Sequence, residues 1–375
     1  MTRRKSRQAY RSTYNENGPT FKGYFYVGIS QYVDNSIVGI SNFLMYSNTS
    51  YEYDDEMRVI EVRESGELTA SYTYDANGNK ASETLANGVV STYTYNNANR
   101  IISISTTKDN VNISSHEYSY YLDGSDACKT RTENGIMETT SYEYDGLKRL
   151  TEETVSVGNT TVDTYSYQYD DYGNRSKMTA TGTENYITEY DYTDSNGNYT
   201  TLLQKETRTV EVADSEDSFT GLVSNPTALL NNLNSTSNVK ETVYTYDANG
   251  SQLTKTTDEK TETNTYNAVN QLVGFTDGET IASYTYNADG LRASKTVDGE
   301  TVKHVWDGAK QVVADVKNGA FYEADCYIRG TGLVAKYNYI NGAKSEYTYY
   351  TQNAHGDVWI GNPFLDKITP NKKLL

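Results

Sequence analysis

Cysteine, proline, tryptophan and histidine are all scarce in this chain. Its 375 residues include 2 Cys, 4 Pro, 2 Trp and 3 His. Cys128 and Cys326 are isolated, without a nearby Cys or His at metal-ligand spacing, so the sequence offers neither a disulfide framework nor a zinc site. We therefore expect two free thiols, no bound metal and no other cofactor.

The chain also lacks a long apolar run and an excess of positive charge. With a net charge of -17, it repels phosphate backbones and anionic lipid headgroups, so neither nucleic acid nor a membrane surface is an expected partner. The most apolar stretch, "SIVGISNFLMY", is too short and too polar to span a bilayer. The basic start leads into no apolar segment of the kind that marks a secretory signal.

Tyrosine, by contrast, is abundant, with 37 Tyr against 7 Phe. Few aliphatic residues combined with a high net charge would ordinarily indicate disorder. A buried tyrosine, however, removes about 150–250 Å² from water, so tyrosines at regular spacing can supply a core. Such a core requires that the hydroxyls stay hydrated or hydrogen-bonded.

One nine-residue stretch is written three times. "YTYDANGNK" begins at Tyr72 and returns as "YTYDANGSQ" and "YTYNADGLR", and further copies follow at intervals of about 20 to 25 residues, which is typical of repeated supersecondary units. The residues that define the repeat are Tyr72, Tyr74, Asp75, Gly78, Tyr142, Tyr144, Asp145, Tyr167, Tyr169, Asp170, Tyr244, Tyr246, Asp247, Gly250, Tyr284, Tyr286 and Gly290.

The repeat predicts a β-hairpin. Tyrosines two residues apart fall on one face of a strand. The Asp that follows can bond the backbone two residues on, and Asn and Gly tolerate positive φ, so the chain reverses there. A second strand and a second turn then lead back to the next tyrosine pair. The predicted fold is all-β, built from tandem antiparallel hairpins.

The pattern divides the chain into five parts. Residues 1–48 match no repeat, 49–213 form a first repeat block, and 241–358 form a second repeat block that continues into a core-like region. Between the blocks, 214–240 reads as an insertion, with a possible short helix from Thr227 to Leu233 after Pro226. Residues 359–375 form a tail that matches no repeat.

These motifs resemble the YD repeats of the Rhs family. The stretches "YTYNADGLRASKTVDGETVKHVWDG", "CYIRGTGLVAK" and "YYTQNAHGDV" are similar, in that order, to the Rhs-associated core. The resemblance implies a long, curved, spiralling sheet that is part of a hollow β-shell around a variable C-terminal toxin, in a secreted or cell-surface bacterial protein. Its core-motif residues are Trp306, Asp307, Arg329, Gly330, His355, Gly356 and Asp357.

The resemblance also implies that some elements of the Rhs family are absent from this sequence. In the Rhs family the "NAHGDV" segment is followed by more repeat-like chain, a self-cleavage element containing aspartate, and the toxin. Here "WIGNPFLDKITPNKKLL" follows instead. We therefore expect a fragment or a degenerate reading frame that supplies shell wall, with the toxin cargo absent from this sequence.

Candidate sites compete with simpler interpretations. His355 and Asp357 could be a general base and its orienting partner, but no nucleophile accompanies them, so a turn is the better interpretation. The repeat aspartates could form glycosidase pairs, but they already start turns. We predict a non-catalytic scaffold, with no catalytic, cofactor-binding or metal residues. The alternative is a module that binds carbohydrate or a cell surface through exposed tyrosines, which would require an open stripe of rings.

Overall fold

The computed structural model describes residues 49–210, 238–258, 260–317, 323–340 and 343–360, with backbone alone for Trp359, Ile360 and the strands between residues 9 and 43. Within these residues every regular element is a β-strand, and the strands pair antiparallel. The prediction of an all-β fold of tandem hairpins is confirmed. The expected helix from Thr227 to Leu233 lies outside the described residues, and a strand already begins at Asn238, inside the expected insertion.

The chain forms two compact units. One comprises Met1–Glu117, Tyr286–Lys295 and Gly299–Leu375, and the other comprises Tyr118–Thr285 and Thr296–Asp298. We call them unit 1 and unit 2. The division of the sequence into five parts stays a prediction.

The strands of unit 1 fall into two runs. The first run is β1 (Ala9–Asn15), β2 (Gly18–Tyr24), β3 (Val27–Gly28), β4 (Tyr32–Val33), β5 (Ser36–Ile37), β6 (Asn42–Phe43), β7 (Thr49–Tyr53), β8 (Val59–Glu64), β9 (Glu67–Tyr74), β10 (Lys80–Leu85), β11 (Val89–Tyr95), β12 (Ile101–Lys108) and β13 (Val111–Tyr120), which ends in unit 2. Unit 2 contains β14 (Asp126–Glu133), β15 (Ile136–Tyr144), β16 (Leu150–Val157), β17 (Thr160–Tyr169), β18 (Arg175–Gly182), β19 (Tyr186–Asp191), β20 (Lys205–Val210), β21 (Asn238–Tyr246), β22 (Gln252–Thr257), β23 (Lys260–Tyr266), β24 (Leu272–Thr276) and β25 (Ile281–Tyr286). After β26 (Arg292–Val297), unit 1 resumes with β27 (Glu300–Trp306), β28 (Val312–Lys317), β29 (Glu323–Arg329), β30 (Leu333–Ile340), β31 (Ala343–Lys344), β32 (Thr348–Gln352) and β33 (Val358–Ile360).

Neighbouring strands in sequence are neighbours in the sheet. Antiparallel pairing runs without a break from β7 to β13 in unit 1 and from β14 to β25 in unit 2. Short connections favour this arrangement, because a hairpin closes only a small loop.

Alternation along each strand gives the sheet two faces. The tyrosine face, as we define it, carries the motif tyrosines and the residues opposite them, such as Tyr72 and its cross-strand partner Glu83. The threonine face lies on the other side and carries hydroxyl pairs such as Thr73 with Ser82, whose side-chain oxygens are 2.6 Å apart. Each repeat therefore separates rings from hydroxyls by its period of two.

The hydrophobic core of unit 1 joins its early and late strands. Tyr72 is 4% exposed and lies with Val62 and Ala70 in one buried cluster with Ile328 and Ala335 of β29 and β30. The sequence predicted a core of tyrosine, whereas the buried members of this cluster are mainly Val and Ala, with tyrosines among them. Ala314, Ala324 and Ala335 contribute small side chains to the cluster, and Tyr74 of β9 packs against it while partly buried.

Both cysteines are free, as expected. Cys128 is half-buried and Cys326 lies within the core of unit 1, where burial raises the pKa of its thiol to about 11. Tyr72 and Tyr93 of unit 1 are buried, whereas most of the other motif tyrosines in both units are half-buried. The same repeat is therefore buried to different depths along the chain.

Candidate functional site: the tyrosine face

Six positions recur in the hairpins at fixed spacing. We name them the first-ring, second-ring, turn-start, left-handed, strand-entry and facing positions. In the repeat that begins at Tyr72 they are Tyr72, Tyr74, Asp75, Gly78, Lys80 and Glu83. The facing residue lies directly across from the first ring, as Glu83 does from Tyr72, Glu153 from Tyr142 and Lys255 from Tyr244.

The turn-start side chain organises the turn. Asp75 Oδ1 accepts hydrogen bonds from the backbone N–H groups of Asn77 at 2.9 Å and Asn79 at 2.8 Å. Gly78 N–H donates to the Asp75 carbonyl at 3.0 Å. The Asn79 side-chain amide and these N–H groups hold the pKa of Asp75 below its usual value. The same turn recurs at Asp54, Asn96, Asp145, Asp170, Asp194, Asp247, Asn267, Asn287 and Asn353.

The left-handed position has positive φ whatever residue occupies it. Gly78, Gly250 and Gly290 have φ of 85°, 83° and 78°. The same position is filled by Met57 with φ of 63° and by Lys148 with φ of 64°. Because L-residues with a side chain rarely adopt this conformation, the pattern of hydrogen bonds imposes it rather than the residue itself.

In several repeats the second ring is hydrogen-bonded to the hairpin before it. Tyr74 OH donates to the Val59 carbonyl at 2.7 Å, and Tyr169 OH donates to the Leu150 carbonyl at 2.7 Å. In both cases the acceptor is the strand-entry residue of the preceding repeat. The same bond is made by Tyr95 to Lys80, Tyr192 to Arg175 and, through the indole N–H, Trp306 to Arg292, while Tyr246 donates to Leu203.

The second rings explain why the repeat uses tyrosine where a core would usually use phenylalanine. A hydroxyl satisfies a carbonyl that the strand ladder leaves unpaired near the turn, while the ring still removes apolar area from water. The motif tyrosines therefore pack into the sheet, with Tyr72 and Tyr93 buried and most of the others half-buried. They do not form the open stripe that a ligand-binding row would require.

His304 occupies a first-ring position, and Asp315 faces it. His304 Nδ1 lies 2.6 Å from Asp315 Oδ1, and Tyr327 OH donates to Asp315 Oδ2 at 3.0 Å. Burial and the Asp315 charge raise the pKa of Tyr327. His304 and Asp315 have the same separation in the sequence as Tyr72 and Glu83, and this spacing is the signal that predicts the pair.

Four core-motif residues lie in the late strands of unit 1. Trp306 is a second ring, and Asp307 starts a turn by accepting the N–H of Gln311 at 2.8 Å. Arg329 Nε donates to the Val312 carbonyl at 2.9 Å. Gly330 lies against the ring of Tyr72, where a Cβ would overlap the tyrosine hydroxyl. These contacts hold strands together.

The remaining core-motif residues form one turn. His355 and Asp357 donate their N–H groups to Asn353 Oδ1 at 2.9 and 3.0 Å, and Gly356 takes the left-handed position with φ of 81°. The Asp357 carboxylate accepts the Asn353 side-chain amide at 2.8 Å. This geometry is that of the repeat turn, with His355 placed where other repeats carry Asn77 or Leu147.

A concavity of about 1010 Å³ opens on the tyrosine face of unit 2. Its lining includes Tyr190, Arg208, Lys240 and Thr242. Most of its charges are paired, as in Lys255 with Glu262 at 3.3 Å and Lys260 with Asp277 at 2.8 Å. The contact with Lys260 lowers the pKa of Asp277 to about 2. The surface is thus polar and nearly self-neutralised.

Across the described ranges, no three His, Cys, Asp or Glu side chains are placed to hold a metal ion. In the same ranges, no helix has the length and apolar character needed to cross a membrane.

The hairpins from Tyr74 to Val111 match the RHS Repeat family, over residues 74–111. This segment is similar to an RHS repeat. The recognition drawn from the tyrosine motifs is therefore confirmed. A search of curated proteins finds no match for the chain.

Two solved structures resemble the RHS-repeat chain in fold at low sequence identity. One is the Tc holotoxin pore of Photorhabdus luminescens carrying a TccC3 mutation, with 12% identity and a TM-score of 0.45, covering 93% of this chain and 20% of that one. The other is TcdB2-TccC3, with 13% identity and a TM-score of 0.42, covering 91% of this chain and 19% of that one. The RHS-repeat chain spans about a fifth of the length of each.

Proposed function

We propose that this RHS-repeat chain is a structural wall segment of a shell that encloses a polypeptide cargo, and that it acts without catalysis. The observation that carries the proposal is the hydrogen bond that recurs between a second ring and the strand-entry carbonyl of the preceding repeat, as in Tyr74 to Val59 and Tyr169 to Leu150. Where this bond recurs, one hairpin holds the next, and the wall is built by repetition.

The tyrosine face of unit 2 is suited to enclose a polypeptide without binding a specific sequence. Its concavity combines paired charges, such as Lys255 with Glu262, with threonine hydroxyls. Partly exposed ion pairs of this kind bind little on their own, and the lining offers no large apolar patch to which an unfolded chain would adhere. We assign the cargo to this face.

The identity of the cargo rests on the resemblance to the Rhs family. On that basis the cargo is a C-terminal toxin, and the protein works outside the bacterial cell or on its surface. The RHS repeat at residues 74–111 supports this assignment.

The assignment to one face can be tested by photo-crosslinking from adjacent residues. Lys240 lies on the tyrosine face and lines the concavity, whereas Glu241 lies on the threonine face of the same strand. A photoreactive amino acid is placed at either position in the full chain, with an unstructured polypeptide joined after Leu375. We expect crosslinks to that polypeptide from position Lys240 and not from Glu241. Equal crosslinking from both would overturn the proposal, and mass spectrometry of the same samples should show no self-cleavage.

A second candidate is carbohydrate or cell-surface binding, and one observation favours it. Tyr172 is 74% exposed and stacks on Tyr199, with ring centroids 4.4 Å apart and planes inclined by 23°. An exposed aromatic face can stack on a sugar ring. If this candidate is right, Tyr172→Ala should abolish glycan binding measured on a glycan array, whereas Tyr244→Phe, within the sheet, should not.

A further inference from the structure

In the repeat that begins at Tyr72, the ammonium group of Lys80 lies beside a carboxylate and an aromatic ring of the same unit. Lys80 Nζ lies 3.2 Å from Glu83 Oε2 and 4.5 Å from the centroid of the Tyr93 ring. Tyr93 OH also donates to Glu83 Oε2, at 3.1 Å, and Tyr72 is the cross-strand partner of Glu83. The site thus consists of two successive first rings, Tyr72 and Tyr93, around the facing carboxylate, with the cation supplied by the strand-entry lysine.

The same constellation recurs in unit 2 without its cation. Tyr142, Glu153 and Tyr167 hold the positions of Tyr72, Glu83 and Tyr93, and Glu153 faces Tyr142 in the same register. Tyr165 flanks Glu153 from the next strand. The strand-entry residue, however, is Leu150, where the first site has Lys80. The rings and the carboxylate are kept, and the ammonium is missing.

No cation in the described part of the chain takes its place. Glu153 forms no hydrogen bond or ion pair with any described residue. Two cations are engaged elsewhere, Arg149 with Asp145 at 2.7 Å and Lys148 with Asp123 at 3.1 Å. Arg175 lies over the Tyr167 ring at 4.3 Å but makes no ion pair with Glu153. A half-buried carboxylate without a partner is unfavourable, and its charge is felt by its neighbours, since burial and then Glu153 raise the pKa of Tyr142 to about 12.

Rings around a carboxylate form a recognised environment for an organic cation. An ammonium group gains attraction from the aromatic faces and from the negative charge at once. Lys80 demonstrates in this chain that a primary ammonium on a flexible alkyl stem fits between such groups.

We propose that Glu153, together with Tyr142 and Tyr167, binds an alkylammonium group from outside the chain, in the place that the Lys80 side chain takes beside Glu83. The group has two sources with the same chemistry, the lysine side chain of a polypeptide and a free primary amine. This site does not depend on the shell function, since it would exist equally in a free-standing sheet.

The test titrates the full chain with n-butylammonium and, separately, with a short peptide containing one lysine, observing the ligand by saturation-transfer NMR. We expect both ligands to bind saturably, with a Kd on the order of 1 mM. Glu153→Gln should weaken binding by about tenfold or more, and Leu150→Lys should abolish it by filling the site internally. Glu152→Gln, on the threonine face, is the matched control and should leave binding unchanged. Wild-type affinity in either Glu153→Gln or Leu150→Lys would overturn the proposal.

Two further comparisons keep the outcome decisive. Leu150→Lys should raise the urea midpoint of the chain, because it completes the ion pair, and Leu150→Lys combined with Glu153→Gln should not. No rise in the midpoint would count against the site even if Glu153→Gln failed to fold. Tighter binding of the lysine peptide than of n-butylammonium would identify a polypeptide as the source, and equal binding would identify the free amine.

Discussion

Tyr74 donates its hydroxyl proton to the carbonyl oxygen of Val59 across 2.7 Å, which joins one hairpin to the one before it. The acceptor begins β8, at the point where the turn from Asp54 has just closed. A carbonyl at such a place has no strand partner to satisfy it on that side. The Tyr74 hydroxyl, and not only its ring, therefore contributes to holding neighbouring hairpins together.

Removing that hydroxyl should weaken the chain measurably. Tyr74→Phe should lower the free energy of unfolding by about 1 kcal/mol, because the bond is lost and the Val59 carbonyl is left unsatisfied. Tyr74→Ala, which also removes the ring, should cost about 2–4 kcal/mol. Urea denaturation of the full chain measures both. Tyr172→Phe serves as control, since that ring is exposed, and a loss equal to that of Tyr74→Phe would contradict the explanation.

Replacing Met57 with glycine should increase the stability of the folded chain. Its φ of 63° and its exposure of 58% mean that the side chain bears a backbone cost without a packing gain. Met57→Gly should raise the free energy of unfolding by about 0.5–1 kcal/mol. Gly78→Ala, at the same position of the next repeat, should lower it by about 1 kcal/mol. Thermal and urea unfolding measure both changes in the free energy of unfolding. If the two variants changed it in the same direction, the backbone cost assigned to Met57 would be refuted.

The choice between Asp and Asn at the turn start should depend on the charge at the end of the turn. Asn353 lies beside Asp357, so Asn353→Asp should destabilise the chain at neutral pH by about 1–2 kcal/mol through repulsion and a lost hydrogen bond. Asn96 precedes Arg100 in the same arrangement, and Asn96→Asp should be neutral or stabilising. Urea midpoints at neutral and acidic pH distinguish the cases, since protonation of the carboxylates should restore Asn353→Asp.

Gly330 should tolerate no side chain. A Cβ there would overlap the Tyr72 hydroxyl and approach Val62 Cγ2 to 3.1 Å. Gly330→Ala should therefore lower the free energy of unfolding by about 1–3 kcal/mol. Gly146→Ala is the matched control, because nothing lies within 4 Å of its Cβ position, and its effect should stay within about 0.5 kcal/mol. Equal urea midpoints for the two variants would contradict the prediction, because they would show that the core of unit 1 can accommodate a side chain at Gly330.

Alkaline pH should unfold the chain through its tyrosines. Burial, and then the charge of Glu153, raise the pKa of Tyr142 and Tyr167 from 10 to about 12. The folded state thus holds these protons more tightly than the unfolded state does. Their contribution to stability is complete below pH 10 and is lost as pH rises from 10 to about 12. Near-ultraviolet tyrosinate absorbance and circular dichroism should change together, whereas ionisation well before unfolding would contradict the burial of these rings.

Local features could be predicted from the sequence because each depends on a few adjacent residues. The alternation of Tyr72 and Tyr74 indicates a strand with one aromatic face, and Asp75 with Gly78 indicates the turn that ends it. The hairpins, their antiparallel order and the turn at His355 follow from such short-range rules. The RHS repeat, too, is a pattern within one hairpin and its neighbour.

What the sequence could not give was any contact between distant residues. The burial of Tyr72 against Gly330 and Ile328, and the contrast between the site filled by Lys80 and the one left open at Glu153, depend on which side chains meet in the folded chain. Periodicity assigns each residue to a face but not to the neighbour that covers that face. Only the tertiary structure decides this, because burial and charge compensation are properties of the assembled neighbours and not of the repeat alone.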